Sequence, residues 1–322
     1  MKPQFEPGPL VMERTKLAKG TLAGDVAVVT GGAGNIGLGV ARSLAWLGAK
    51  IVIADVTPEA GQAAQELIDR ENAPGTALFV ETDVSDEASM KAMANKAFAT
   101  FGKVDILINN AMIMSMGAPI MKSTVYQLDR QYEIAARGAL IGVQLFVPGM
   151  QARRHGIVTY MSTAFCHPIG PSNYCAAKAA GASIIMSLAS ELGPVEKSGI
   201  AVFMFLPAGI GFPRSAAPLP ADFPKDFKMP SMPGYEGNIP PEHGGAAVAY
   251  CIAHAAELHN SGVMVQQVFR QMDWEYPRPE TVVQVDYERL DERALPMLFS
   301  FVGPGFPDPK VPLMPITRGS KK

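Results

Sequence analysis

Cysteine is nearly missing from this sequence: Cys166, Cys175 and Cys251 are the only three in 322 residues. Three cysteines exclude a disulfide framework, and their spacing fits no metal site, so no metal is expected. A reducing, cytoplasmic setting is the expectation that follows. Charge of either sign is also scarce. Charged residues are 18%, with 28 Lys+Arg against 30 Asp+Glu and a net charge of -2. That balance excludes the basic surface needed for nucleic acid or an anionic membrane. No uninterrupted apolar run reaches the roughly 18 residues of a membrane helix. The first twenty residues, MKPQFEPGPLVMERTKLAKG, lack the apolar core and small-residue cleavage site of a signal peptide, so none is expected. What is plentiful is apolar side chain, at 48%, which places the chain among folded proteins rather than disordered ones. Its length allows one large domain or two small ones.

Proline (27) and methionine (18) are high. Many prolines lie between Pro207 and Pro241 and between Pro277 and Pro315, which disfavours regular helix and interior strand there. Elsewhere the pattern is regular. Short apolar runs at 26–29, 51–54, 76–80, 104–108, 157–161, 200–206 and 262–269 read as buried strands. Helical segments alternate with them at 36–47, from 58, from 85 to about 101, at 124–153, at 173–192 and at about 245–258. Thr57 and Ser85 are the expected caps of the second and third helices. This alternation implies an α/β fold with a parallel sheet covered on both faces. Residues 208–244 are too long for an ordinary connection and are expected to be functional.

The segment from Asp25 to Val56 carries the first chemistry. Gly31, Gly32, Gly34 and Gly37 lie in the turn between a strand and a helix. Glycine there permits positive φ and close approach of a pyrophosphate, whose charge the helix N-terminus favours. Asp55 ends the next strand, where a carboxylate can hold ribose hydroxyls and repel a 2′-phosphate, so NAD is the expected cofactor. The bland readings are an empty tight turn and a capping acid before Thr57-Pro58. Further on, Tyr174 and Lys178 stand four apart on one face of a helix. An ammonium beside a phenol is expected to lower its pKa and fit it for proton transfer.

Taken in order, these marks resemble the short-chain dehydrogenase/reductase family across roughly residues 25–269. They are the TGGAGNIG turn, Asp55, Asp83-Val84, Asn109-Asn110-Ala111, a hydroxyl-bearing strand end at Ser162-Thr163, and Tyr174-x-x-x-Lys178. The resemblance implies a doubly wound, Rossmann-like parallel sheet in a single domain over residues 25–270. The remainder is then an N-terminal arm (1–24), a substrate loop (208–244) and a proline-rich C-terminal arm (271–322). It implies an NAD-dependent oxidoreductase interconverting a secondary alcohol and a ketone on a hydrophobic, cyclic or aromatic substrate. Gly31, Gly34, Asn35, Ile36, Gly37, Asp55, Asp83, Val84, Asn110, Ala111, Pro207, Gly209 and Ile210, with Tyr174 and Lys178, would hold the cofactor. Tyr174 would move the proton and Lys178 bind ribose. Ser162 or Thr163 would orient the substrate oxygen; Ser162 gives the spacing to Tyr174 nearer the family's norm. A homodimer or homotetramer built on helices 124–153 and 173–192 is also implied.

Departures from the family pattern are informative. Asn35 replaces a glycine, a mild change because Asn tolerates left-handed backbone. Met112 replaces the glycine after Asn-Asn-Ala. The family carries an asparagine three residues before a glycine in the long helix, where it holds a water of the proton relay; Ala135 stands there. The turn after the sixth strand, from Leu206 to Pro213, lacks the usual threonine. These losses keep two other readings open: a non-redox dehydratase or isomerase, and a nucleotide-binding protein without turnover. Met112, Met114, Phe165 and His167 are the expected substrate-pocket residues, a flexible apolar set suited to a bulky ligand. Single methionines also serve as plain packing, and His167 as an ordinary loop residue.

Overall fold

Five consecutive β-branched or small residues, Val26–Thr30, form β1, the centre of the sheet. In the computed structural model, residues 7–113, 120–163, 172–207 and 239–274 are described. They build a seven-stranded sheet in the order β3-β2-β1-β4-β5-β6-β7, parallel throughout. The other strands are β2 (Lys50–Asp55), β3 (Ala77–Glu81), β4 (Ile106–Asn109), β5 (Gly156–Met161), β6 (Ile200–Leu206) and β7 (Ser261–Met264). The helices are α1 (Asn35–Trp46), α2 (Pro58–Glu71), α3 (Glu87–Phe101), α4 (Val125–Tyr132), α5 (Gly138–Arg153), α6 (Ser172–Leu192), α7 (Val195–Ser198), α8 (Pro241–Ala253) and α9 (Val265–Gln271).

Side-chain alternation along the strands splits the core in two. Ala27, Val29, Ile51, Ile53, Ile106, Ile108, Phe203 and Phe205 face α1 and α8. Val26, Val28, Val52, Leu107, Val158, Val202 and Met204 face α3, α5 and α6. Strands buried on both faces read as continuous apolar runs, which is why the sequence shows them plainly.

Several expected boundaries shift for local physical reasons. Thr57 is the N-cap of α2 but its hydroxyl makes no capping bond; the Asp55 carboxylate accepts from its N–H instead, at 3.1 Å. Asp86, not Ser85, caps α3, accepting from the N–H groups of Ala88 and Ser89. Ser85 is drawn off by Asp83, to which its Oγ donates at 2.6 Å. The expected helix over 124–153 is interrupted by a π turn, Glu133–Arg137, between α4 and α5. The last strand ends at Met264, and the apolar residues after it enter α9. The last helical segment is α8 followed by a 3₁₀ turn, Ala255–Leu258. Residues 7–25, before β1, are not loose: a 3₁₀ turn at Met12–Thr15 packs on α8, with Met12 and Leu22 buried. Residues 208–238 of the expected substrate loop and 275–322 of the expected C-terminal arm lie outside the described residues. By length and hydropathy α6 alone among the described helices is long and apolar enough to cross a membrane, yet it packs on β6 and carries Lys178.

The helix that carries the glycine turn is fixed by its neighbour. α1 and α8 touch backbone to backbone: a Cβ on Gly39 would overlap the Pro241 carbonyl, and one on Gly245 would overlap the Gly39 carbonyl. Beside this contact Arg42, 2% exposed, donates to Glu242 at 3.1 Å, to Glu71 and to the Gly8 carbonyl. Gly245→Ala should therefore destabilise the fold by about 3 kcal/mol, the upper part of the range for overpacking, because backbone cannot give way. Denaturant unfolding measures this, and a loss below about 1 kcal/mol would show that the helices can part.

Candidate active site

The chain leaves β1 towards one side of the sheet and β4 towards the other, so a crevice opens at their carboxyl ends, where open α/β sheets take ligands. The glycine turn fills the β1 side. Gly31 has φ +63° and Asn35 φ +49°, left-handed conformations that glycine and asparagine accept. A Cβ on Gly37 would overlap the Gly31 carbonyl, so only glycine lets α1 start this close to the strand. Gly34, the N-cap of α1, has no side chain to bond the first helical N–H groups and has open space above it. That leaves the positive helix end to an anion.

Two side chains lock this turn to β4. Thr30 Oγ1 donates to the Ile108 carbonyl at 3.1 Å and accepts from the N–H groups of Asn110 at 2.9 Å and Ala111 at 3.1 Å. Asn110 Nδ2 donates to the carbonyls of Thr30 at 2.9 Å and Gly31 at 3.2 Å. Thr30 is a residue that sequence reasoning missed; its signal was a hydroxyl on the last strand position before the glycines. Asp55 sits at the edge of the same crevice. Its Oδ2 accepts from Ala33 N–H in the glycine turn at 3.1 Å, and its Oδ1 from Thr57 N–H. A carboxylate has about four acceptor sites, so room remains for ribose hydroxyls. Asp83 accepts from Ser85, and Val84 is buried against Gly138. A glycine cradle at a helix N-terminus with a carboxylate on the neighbouring strand fits the diphosphate and ribose of a nicotinamide dinucleotide.

On the far side of the crevice β5 and α6 bring the expected catalytic group together. Ser162 is 1% exposed; its N–H donates to the Phe205 carbonyl at 2.8 Å, and among the described residues its Oγ reaches the Thr163 carbonyl, at 3.5 Å. Among the described residues, the Thr163 side chain is hydrogen-bonded to the Tyr174 phenol. Burial pushes this phenol up to about 12, helped by the neighbouring Cys175, while the Thr163 bond acts the other way. The expected lowering by Lys178 is thus not what the structure shows. The reason is that Lys178 is itself buried, 3% exposed, and burial pushes its amine down to about 7. Its Nζ donates to the Met161 carbonyl at 2.6 Å and lies 5.1 Å from the Tyr160 ring centroid. Ala135 is buried in the π turn, and Met112 and Pro207 are half-buried. Met114, Phe165, His167, Gly209 and Ile210 lie outside the described residues.

This sheet, cradle and Tyr-x-x-x-Lys helix define a dinucleotide-dependent oxidoreductase of the single-domain kind. Residues 25–219 match the sequence profile described as short chain dehydrogenase, and the chain belongs to the short-chain dehydrogenase/reductase family. It is 35% identical over 236 residues to cis-4-hydroxycyclohexanecarboxylate dehydrogenase of Sinomonas cyclohexanicum, covering 72% of this chain and 91% of that protein. It is 32% identical to tropinone reductase-like 2 of Erythroxylum coca over 194 residues, 59% of this chain and 68% of that one. Among solved structures, levodione reductase superposes with a TM-score of 0.66 at 24% identity, over 76% of this chain and 96% of its own, a likeness of fold. A metagenomic short-chain oxidoreductase in complex with NADP gives 0.60 at 25% identity, over 76% and 97%.

The buried amine makes stability depend on pH. An unfolded lysine keeps its proton up to about 10.5, whereas folded Lys178 releases it near 7. Between these values the unfolded chain binds more protons, so stability rises with pH across that window. In cofactor-free protein, the unfolding free energy of wild type relative to Lys178→Met should climb from about pH 7 towards pH 10 and be flat below. Denaturant titrations across pH read this. Parallel curves for the two proteins would show that the folded amine stays charged.

Proposed function

We propose that this protein is an NAD-dependent oxidoreductase that interconverts a secondary alcohol and a ketone on a hydrophobic, cyclic substrate. The observation that carries the reading is the Thr163–Tyr174 hydroxyl pair beside buried Lys178, at the carboxyl edge of the sheet and across the crevice from the glycine cradle. Thr163, rather than Ser162, is the group we assign to the substrate oxygen, because Ser162 is buried with its hydroxyl turned onto backbone. Tyr174 gives a proton to that oxygen during ketone reduction and takes it back during alcohol oxidation. A phenol held near 12 is protonated at neutral pH, the state required for donation. Bound nicotinamide supplies the hydride acceptor or donor. Gly31, Gly34, Asn35, Ile36 and Gly37 would hold its diphosphate, Asp55 and Lys178 its riboses, and Asp83, Val84, Asn110 and Ala111 would flank it.

A cyclic alcohol draws support from two relatives, the cis- and trans-4-hydroxycyclohexanecarboxylate dehydrogenases of Sinomonas cyclohexanicum, each 35% identical to this chain. NAD draws support from Asp55, whose charge disfavours a 2′-phosphate. A homodimer or homotetramer draws support from Val125, Tyr126, Tyr132 and Leu140, large apolar side chains exposed along α4, its end and α5.

Tyr174→Phe should lower turnover by about 10²- to 10⁴-fold, the contribution of a positioned acid–base group, and leave NAD affinity nearly unchanged. Steady-state kinetics with fluorescence titration of the cofactor decide this. Near-normal turnover would mean that another group moves the proton. In the same titration wild type should bind NADH more tightly than NADPH, and Asp55→Ala should narrow the gap; tighter NADPH binding by wild type would overturn the assignment to NAD.

A further inference from the structure

A chain of alternating charges crosses from the π turn to the nucleotide side of the crevice. Arg137 pairs with Glu133 at 3.1 Å, and Glu133 Oε2 accepts from Arg130 Nη1 at 2.6 Å. The same Nη1 donates to Ser85 Oγ at 3.2 Å, and Ser85 Oγ donates to Asp83 Oδ1 at 2.6 Å. Oδ1 also accepts from the Ser85 N–H, at 2.9 Å. No hydrogen bond reaches Asp83 Oδ2 among the described residues; the Arg130 guanidinium stands 3.9 Å from it. Arg130 therefore acts on Asp83 chiefly through Ser85. A lone ion pair of this exposure contributes little, but a network in which each group is held from two sides fixes geometry.

The loop that carries Asp83 has little freedom. The Asp83 N–H donates to Ser89 Oγ at 3.0 Å, and the Thr82 N–H to the Asp55 carbonyl at 2.8 Å. The next residue, Val84, is buried with its carbonyl against Gly138, where a Cβ would stand 3.0 Å away. Burial works to raise the Asp83 carboxyl, but the two Ser85 bonds and the charges of Arg130 and Arg137 outweigh it and hold it below its ordinary value. Asp55 and Glu81 are register partners at the ends of β2 and β3, so Asp83 follows Asp55 along the carboxyl edge, one strand further from the glycine turn. A dinucleotide with its diphosphate on the glycines and a ribose at Asp55 brings its purine to Asp83. There a half-exposed carboxylate with one oxygen occupied and one open accepts from an N–H and repels a carbonyl oxygen. Adenine presents an amine at C6, whereas guanine presents an oxygen there.

We propose that Arg130 is a positioning residue for base recognition: through Ser85 it aims the open oxygen of Asp83 at the C6 amine of the purine, and so selects adenine over 6-oxopurines. This rests on the dinucleotide reading above. In this role Arg130 acts through Ser85 and Asp83 and need not touch the nucleotide. Its guanidinium serves Glu133 and Ser85 and extends towards Asp83 at once, a geometry that the single ammonium of a lysine reproduces only in part. Glu133 holds the guanidinium from the other side, and Arg137 in turn holds Glu133, so the aim of Asp83 is set from the π turn.

The test titrates cofactor-free protein with NADH and with its hypoxanthine analogue, followed by fluorescence. Wild type should bind NADH about 10- to 100-fold more tightly, the contribution of a hydrogen bond to a charged group. Asp83→Asn should abolish the preference, because its amide can donate to the C6 oxygen. Arg130→Met should narrow the preference to within about threefold, most of that bond being lost, and Arg130→Lys should keep part of it. The quantity read is a ratio of affinities on one protein, so any loss of folded molecules cancels. A scaffolding role for Arg130 would lower the melting temperature of Arg130→Met and leave the ratio at its wild-type value, which would overturn the proposal. Equal affinities in wild type would put the base elsewhere and overturn it too. Binding of neither dinucleotide would sink the cofactor reading itself, and the proposal with it. The ratios need no turnover, so they decide the role of Arg130 even in a protein that transfers no hydride.

Discussion

Thr30 and Asn110 stitch β1 to β4 at the point where the chain leaves the two strands in opposite directions. Five hydrogen bonds from these two residues hold the glycine turn, the Asn-Asn-Ala turn and the end of β4 as one unit. Everything functional is measured from that unit. It sets where α1 presents its N-terminus, how far Asp55 on β2 lies from the glycines, and which wall of the crevice faces β5 and α6. The backbone contact of Gly39 and Gly245 holds α1 from behind, and the buried Arg42 network ties α2, α8 and the N-terminal segment to the same helix. The cradle is thus preorganised by packing distant from it.

The opposite wall is dominated by burial. Desolvation holds the phenols of Tyr160 and Tyr174 protonated and pushes the amine of Lys178 down towards neutrality. A charge brought against this buried wall acts in a low-dielectric setting, where its effect is large.

Much of this was legible in the residues, for identifiable reasons. Strands buried on both faces announce themselves as apolar runs, and β1, β2, β5 and β6 lie within a residue or so of their expected bounds. The cradle was legible because glycine is required wherever backbone must approach backbone, as at Gly37. What was hidden depends on competition between neighbours. Ser85 and Asp86 are both good caps, and only the capture of Ser85 by Asp83 decides between them. The π turn leaves no mark in the apolar period of 124–153, and β7 and α9 merge because a short apolar run suits either structure. Spacing leaves the choice between Ser162 and Thr163 open, because it does not encode which hydroxyl faces Tyr174.

Transfer of hydride from a substrate carbon is the core of the account, and one measurement reaches it directly. Wild-type protein would be incubated with NAD and a set of cyclic secondary alcohols, 4-hydroxycyclohexanecarboxylate among them, each with hydrogen or deuterium on the carbinol carbon. The account predicts NADH formation with at least one alcohol, slower for the deuterated form, with the label recovered on the nicotinamide ring. Normal NAD binding with no NADH formed from any of them, and no consumption of NADH by the matching ketones, would contradict it.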